Sequence, residues 1–406
     1  MKAQAGDGPR VLYLVYWGAG EPLGQALVLP SVRRLAELGA KVTLVTFDKA
    51  EDLSQREYMV AIRRGLEPLG IRWVSLRYHK GPYAPAKIYD AVTGWARSVA
   101  AQLGSRTDIV HARTFVGGLM GLVLARLLRA KFVYHNEGFY PDEQVDGGLW
   151  ASGSRRHRIA RQLEAQLYAR ADGIIALSRR ARAVIEELVP VARRRTPVIV
   201  VPSAVDLERF KYHGTGASAR GEGLRLIYAG SVGSRYCFDR AAQFAAVAGQ
   251  ELGSVNLRVV TRSDRQLVEG TLDASGLPRD AWSVASAPHW GMPGELSQHD
   301  AGLYFLKQGL SEHGCSPTRI GEYWACGLPV VTTPNVSDTD EIVRREGVGV
   351  VVREHSEAGY SEAIRSLAKL RGDPELAARC RQAAETHYAL APACERQMAL
   401  YREVLS

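Results

Sequence analysis

Short apolar runs rich in Val and Ile recur along the chain, separated by longer Ala-, Leu- and Arg-rich segments whose apolar positions follow helical spacing. A first series covers residues 11–16, 41–47, 108–111, 131–134, 173–176 and 198–201. A second covers 224–229, 255–260, 282–285, 302–306, 329–332 and 347–352. Strands buried on both faces read as continuous apolar runs, and their alternation with helices is the mark of βαβ units. The pattern therefore predicts an α/β protein of two doubly wound, Rossmann-like domains facing across a cleft. The Gly-, Ser- and Ala-rich stretch 211–223 reads as a linker between a first domain over 1–210 and a second domain over 224–385. Residues 386–406 are expected to form a C-terminal helix packing back toward the N-terminal domain. Ligands of such sheets bind beyond the carboxyl ends of the strands, so residues just after strands are the ones to weigh.

Charge sharpens this picture. Residues 1–210 carry 31 Lys and Arg against 20 Asp and Glu, whereas 211–406 carry 21 against 23. A basic first half beside a near-neutral second half points to an anionic partner for the first half. Aromatic-interleaved basic motifs and zinc-finger spacings are missing, which argues against nucleic acid. A phosphorylated lipid or a membrane surface fits better. The segment Ser154-Arg-Arg-His-Arg-Ile-Ala-Arg-Gln-Leu-Glu-Ala-Gln-Leu167 sets Arg155, Arg156, Arg158 and Arg161 beside Ile159, Leu163 and Leu167. It reads as a membrane-facing helix or as a solvated face over a packed stripe. No apolar run approaches the ~20 residues of a membrane span, and the polar start does not look like a signal peptide. Five cysteines without C-x-x-C spacing suggest reduced thiols and a cytoplasmic address, peripheral on the inner face of the membrane if the lipid reading holds.

The most informative stretch is Cys315-Ser-Pro-Thr-Arg-Ile-Gly-Glu-Tyr-Trp-Ala-Cys-Gly-Leu-Pro-Val-Val-Thr-Thr333. Ser316 suits an N-cap, Pro317 the first helical position and Gly327 the C′ position. The helix comes after a strand, so its free N–H groups and dipole make a site for a diphosphate. Arg319 and Glu322 share one helix face. A cation there can hold phosphate and a carboxylate can accept both hydroxyls of a ribose, although the two could equally form a simple surface pair.

This stretch resembles the donor motif of retaining glycosyltransferase family 4, of the GT-B fold. The resemblance extends to Leu23-Gly-Gln-Ala-Leu-Val-Leu-Pro-Ser-Val-Arg-Arg-Leu-Ala-Glu-Leu-Gly-Ala-Lys-Val-Thr-Leu-Val-Thr-Phe47, to Asp108-Ile-Val-His-Ala-Arg113, and to Tyr134-His-Asn-Glu-Gly-Phe-Tyr-Pro-Asp-Glu143. It also takes in Val201-Pro-Ser-Ala-Val-Asp-Leu-Glu-Arg-Phe210 and Ile227-Tyr-Ala-Gly-Ser231. The resemblance implies transfer of a sugar from a nucleotide diphosphate to an acceptor hydroxyl, independent of metal and without a cofactor. It places Glu322 on the donor ribose, Ser316, Pro317 and Thr318 at the diphosphate, and His135 beside the transferred sugar. Gly18 and Gly20 fall in the first strand–helix loop, near phosphates and acceptor. His111, Arg113 and Glu137 lie after strands on the same side. Cys315, seven residues before Glu322, stands where the family has its first motif glutamate, so the sugar cannot be inherited from the resemblance. Ser231 stands where an arginine is usual, which leaves Arg235, Arg262, Lys307 and Arg319 as candidate cations. The acceptor is expected to be a glycan, a lipid-linked sugar or a small molecule.

Two other readings compete. One is a different enzyme on the same fold, a sugar-nucleotide epimerase or pseudo-glycosyl transferase; the other is a non-catalytic sugar-nucleotide sensor or adaptor. Gly18-Ala-Gly20-Glu-Pro-Leu-Gly24 with Asp48 at the next strand end is only a near-miss of a dinucleotide fingerprint. Asp338-Thr-Asp340 reads better as part of a capping box with Glu341 than as a metal motif.

Overall fold

The computed structural model describes residues 8–81, 83–103, 105–189, 195–211 and 223–406. Most of the expected linker therefore lies outside the described residues. The chain divides into two compact units: residues 1–141, 153–204 and 390–406 form one, and residues 142–152 and 205–389 the other.

The first unit is built on a seven-stranded sheet. Its strands are β1 (Arg10–Val15), β2 (Lys41–Asp48), β3 (Arg72–Arg77), β4 (Ile109–Arg113), β5 (Lys131–His135), β6 (Gly173–Ala176) and β7 (Val198–Val200). Their order is β3-β2-β1-β4-β5-β6-β7 and every pairing is parallel. The central strands are buried on both faces because helices cover both, as β1 and β4 show with nearly every side chain buried. β3 escapes the sequence pattern because it is an edge strand whose Arg72, Ser75 and Arg77 interrupt the apolar run. The last helix, Leu390–Leu405, packs on helix Leu29–Glu37, where the Cys394 thiol points at the Ser31 carbonyl 3.8 Å away.

The second unit carries β8 (Leu224–Ala229), β9 (Val255–Val260), β10 (Trp282–Ala285), β11 (Ala301–Tyr304), β12 (Val330–Thr332) and β13 (Gly349–Val351). They form a parallel sheet in the order β10-β9-β8-β11-β12-β13. Helix Thr318–Ala325 lies against β11 and against helix Leu376–His387. Its seat on the sheet needs Gly302: a Cβ there would stand 2.3 Å from the Tyr323 ring. That ring is fixed in turn, since Tyr323 Oη donates to the Leu303 carbonyl and accepts from the Ala229 amide.

Two local expectations are corrected. Helix Thr318–Ala325 starts one residue later than the sequence suggests, with Pro317 at the N-cap and Ser316 before it. Ser316 does not cap the helix because its hydroxyl bonds Tyr388 instead. Its far end does match the sequence: Gly327 has a left-handed φ of 78°, and the amides of Gly327 and Leu328 close back on Trp324 and Tyr323. Asp338 occupies the N-cap of helix Thr339–Glu346, but its side chain makes no capping bond, so no capping box forms.

Candidate functional site

Two groups of candidate side chains emerge, one in each unit, both at carboxyl ends of strands.

In the second unit, parallel β9, β8 and β11 are neighbours, so the loops after them share one edge. Those loops carry Arg262, Ser231 with Arg235, and Lys307, and helix Thr318–Ala325 begins beyond the last of them. Glu322 is 2% exposed. One carboxylate oxygen accepts from Arg319, and the other from His289 Nε2 at 3.0 Å. Arg209 lies 3.2 Å from the opposite ring nitrogen of His289. A guanidinium can only donate, so His289 Nδ1 accepts and Nε2 carries the proton that Glu322 receives. The carboxylate is thus locked in place with one contact on each oxygen. A carboxylate offers about four acceptor positions, so two remain. Nothing in the sequence marked His289, and Arg209 had only its place in the stretch 201–210; both stand far from the motif and join it only through the fold.

The candidate cations separate. Arg319 is engaged with Glu322 and is not a lone surface charge. Arg235 is bound to Glu143 at 3.0 Å; burial works against its charge, but Glu143 together with Tyr236, Cys315 and Tyr304 outweighs burial and raises its pKa. Lys307 and Arg262 are exposed and form no ion pair among the described residues. Ser231 is also exposed, its carbonyl taken by the Tyr228 hydroxyl. The amides of Thr318 and Arg319 precede the first intrahelical bond, as at any helix start. Cys315 is buried, its thiol donates to the Glu312 carbonyl, and burial pushes its pKa up to about 12. It is therefore a neutral thiol and neither nucleophile nor thiolate ligand. Three residues away, Glu312 is 2% exposed, and burial, reinforced by Asp146, pushes its carboxyl up to about 8. Asp146 accepts from the Ser311 amide, so segment 142–152 braces this loop.

In the first unit, neighbouring β1, β4 and β5 end in one polar cluster. Arg113 donates from Nε to Glu137 at 2.6 Å and from Nη1 to the Tyr13 hydroxyl at 3.1 Å. His111 and His135 lie 3.1 Å apart, Nε2 to Nδ1, and the Tyr401 hydroxyl lies 2.6 Å from His111 Nδ1. Burial, with Arg113 nearby, holds both histidines well below the ordinary imidazole range, so both are neutral near pH 7. His135 Nε2 is buried without a hydrogen bond, 3.3 Å from Glu137 Oε1. Tyr401 comes from the last helix and could not have been paired with His111 from the sequence.

The loop after β1 holds Gly18 and Gly20, both buried. Gly18 donates to Glu21, and the Gly20 carbonyl accepts from Tyr58. Gly24 is required here, since a Cβ on it would meet the Gly18 carbonyl at 2.1 Å. Asp48 receives bonds from the Ala19 amide, Thr46 and Ser75, all between 2.6 and 2.7 Å. It is fully buried bracing this loop, which removes the dinucleotide reading in which it would bind a ribose.

Ser154 caps helix Arg155–Arg170 through the His157 amide. The apolar stripe divides: Leu167 is fully buried, but Ile159 is 46% and Leu163 39% exposed, beside exposed Arg155, Arg156 and Arg158. Among the described residues no helix is long and apolar enough to cross a membrane, and no three His, Cys, Asp or Glu side chains group as metal ligands.

Known proteins share this architecture. The family model for Glycosyltransferase Family 4 matches residues 28–209, and that for Glycosyl transferases group 1 matches 298–387. Sucrose-phosphate synthase from Thermosynechococcus elongatus superposes with a TM-score of 0.69 at 16% identity, over 97% of this chain and 99% of that one. HepE from Anabaena, in complex with UDP, gives 0.66 at 14% identity over 97% and 100%, and it is also known in complex with UDP-glucose. A putative UDP-N-acetylglucosamine 2-epimerase from Listeria monocytogenes gives 0.61 at 14% over 97% and 96%. No curated protein matches the sequence. At such identities the structural likenesses establish the fold, two parallel-sheet Rossmann-like units.

Proposed function

Because the chain belongs to the glycosyltransferases of the GT-B fold, we propose that it moves a sugar from a nucleotide diphosphate to an acceptor hydroxyl with retention of anomeric configuration. The observation that carries this reading is Glu322: a buried carboxylate clamped by Arg319 and His289, with acceptor capacity left for two ribose hydroxyls. That HepE is known with UDP and UDP-glucose supports a nucleotide sugar as the donor class.

Charge develops on the diphosphate as the anomeric bond breaks. The Thr318 and Arg319 amides, with Lys307 and Arg262, which form no ion pair among the described residues, suit that charge, whereas Arg235 and Arg319 are already engaged by Glu143 and Glu322. Protein cations then do the work a metal would otherwise do, and the reaction calls for no cofactor. Ser316, held by Tyr388, and Pro317 shape the approach to these amides. His135 serves the transferred sugar, with Arg113 and Glu137 behind it. The retaining route and the epimerase alternative differ in product. Tracking a nucleotide sugar and an acceptor by NMR, we expect nucleoside diphosphate release and a glycoside of unchanged anomeric configuration. An inverted glycoside, or a C2-epimerised sugar, would contradict the proposal.

The acceptor side is read from charge. Exposed Ile159 and Leu163 beside Arg155, Arg156 and Arg158 suit the anionic inner surface of a membrane, where the enzyme would work from the cytoplasm on a lipid-linked or other phosphate-bearing acceptor. Binding to anionic vesicles is expected at low salt and should fade as screening shortens the range of attraction to ~8–10 Å. Indifference to such vesicles at low salt would leave a soluble glycan or small molecule as the acceptor.

A further inference from the structure

We infer that Tyr401, on the last helix of the chain, is a positioning residue that acts through His111 to hold His135 in the tautomer carrying its proton on Nε2. The inference rests on reading His135 as the residue that meets the sugar, but its structural half can be tested without that reading.

Tyr401 is fully buried, and its hydroxyl has one hydrogen-bonding neighbour among the described residues, His111 Nδ1 at 2.6 Å. A buried O–H without an acceptor is costly, so Tyr401 donates and His111 Nδ1 accepts. A neutral imidazole that accepts on one nitrogen carries its proton on the other. His111 Nε2–H therefore points at His135 Nδ1, 3.1 Å away, and His135 in turn must carry its proton on Nε2. The direction of every bond in the row is set from its Tyr401 end.

The opposite orientation fails at both ends. It would strand the Tyr401 proton, and it would aim the lone pair of His135 Nε2 at the Glu137 carboxylate 3.3 Å away. In the favoured orientation that atom carries a proton in weak attraction to Glu137, out of line for a hydrogen bond and so available to a better acceptor. The Tyr13 ring, stacked on His111 at 4.3 Å between centroids, and the Arg113 guanidinium complete the surroundings and keep the row neutral. His135 is then a neutral N–H donor at a buried nitrogen, and is not a base. Three elements distant in sequence, β4, β5 and the last helix, are needed to build it.

The test uses the full chain with isotope-labelled histidine, reading ring-nitrogen chemical shifts near neutral pH and assigning His135 by its loss in His135→Gln. The parent should show His135 as the Nε2–H form. Tyr401→Phe should move it to a mixture of tautomers and lower kcat roughly tenfold, with KM for the donor little changed. His111→Gln, whose amide can accept from Tyr401 and donate to His135, should keep the parent tautomer, whereas His111→Leu should lose it. An Nδ1–H form in the parent, or an unchanged tautomer in both Tyr401→Phe and His111→Leu, would overturn the inference. The parent spectrum decides the first point even if a variant folds poorly. A tautomer change with undiminished turnover would uphold the relay and remove His135 from the reaction.

Discussion

Replacing Glu322 with alanine is expected to weaken nucleoside diphosphate binding roughly ten- to a hundredfold, about 1.5–3 kcal/mol, the usual worth of hydrogen bonds to a charged group. The fold should survive, because the partners left behind are tolerant ones. Arg319 is about a quarter exposed and can turn to solvent. His289 keeps its contact with Arg209 and its packing against Phe210, whose ring centroid is 5.4 Å away. Glu322→Gln is the sharper companion. It preserves the shape, but one of the two accepting oxygens becomes an NH2 group that only donates, so the contacts made to that oxygen are lost. Titration calorimetry with the nucleotide that binds the parent checks both variants. Affinity unchanged in Glu322→Ala would place the nucleotide elsewhere.

His135→Ala should act on rate and spare binding. If the imidazole donates to the sugar as charge redistributes, its loss should lower kcat by about 10²–10³-fold, the range measured when one preorganised donor is deleted from an active site. Donor affinity should stay within about twofold if the donor is held, as proposed, by Glu322 and the helix it stands on in the other unit. Steady-state kinetics at saturating donor separates the two effects. A rise in KM with constant kcat would make His135 a ground-state contact only.

How much of the molecule was legible in the sequence depends on the range of each interaction. Strands buried on both faces announce themselves through Val and Ile runs, so the sheet centres were legible, whereas β3 was not, because an edge strand can carry Arg72, Ser75 and Arg77. Glu322 and Arg319 were legible because their relation is three residues along one helix. The Ser316 cap was misjudged because local propensity gave way to Tyr388, which arrives from more than seventy residues away. His289 and Tyr401 carried no local signal, and Arg209 only its place in the quoted stretch 201–210. Each acquires its role from a partner that only tertiary structure brings within 3.2 Å. Asp48 shows the converse: a strand-end acid that looks like a ribose ligand in the sequence has its oxygens committed to Ala19, Thr46 and Ser75.

The central claim is that the second unit binds a nucleoside diphosphate through Glu322 and the helix it stands on. Thermal unfolding of the parent and of Glu322→Ala, each with a panel of nucleoside diphosphates, tests it most directly. A ligand at a hundred times its Kd adds about 2.7 kcal/mol to the stability of the protein that binds it. At least one diphosphate should raise the parent's melting temperature clearly, and the same concentration should shift Glu322→Ala by about half as much or less. A panel that shifts neither protein, or shifts both alike, would contradict the claim.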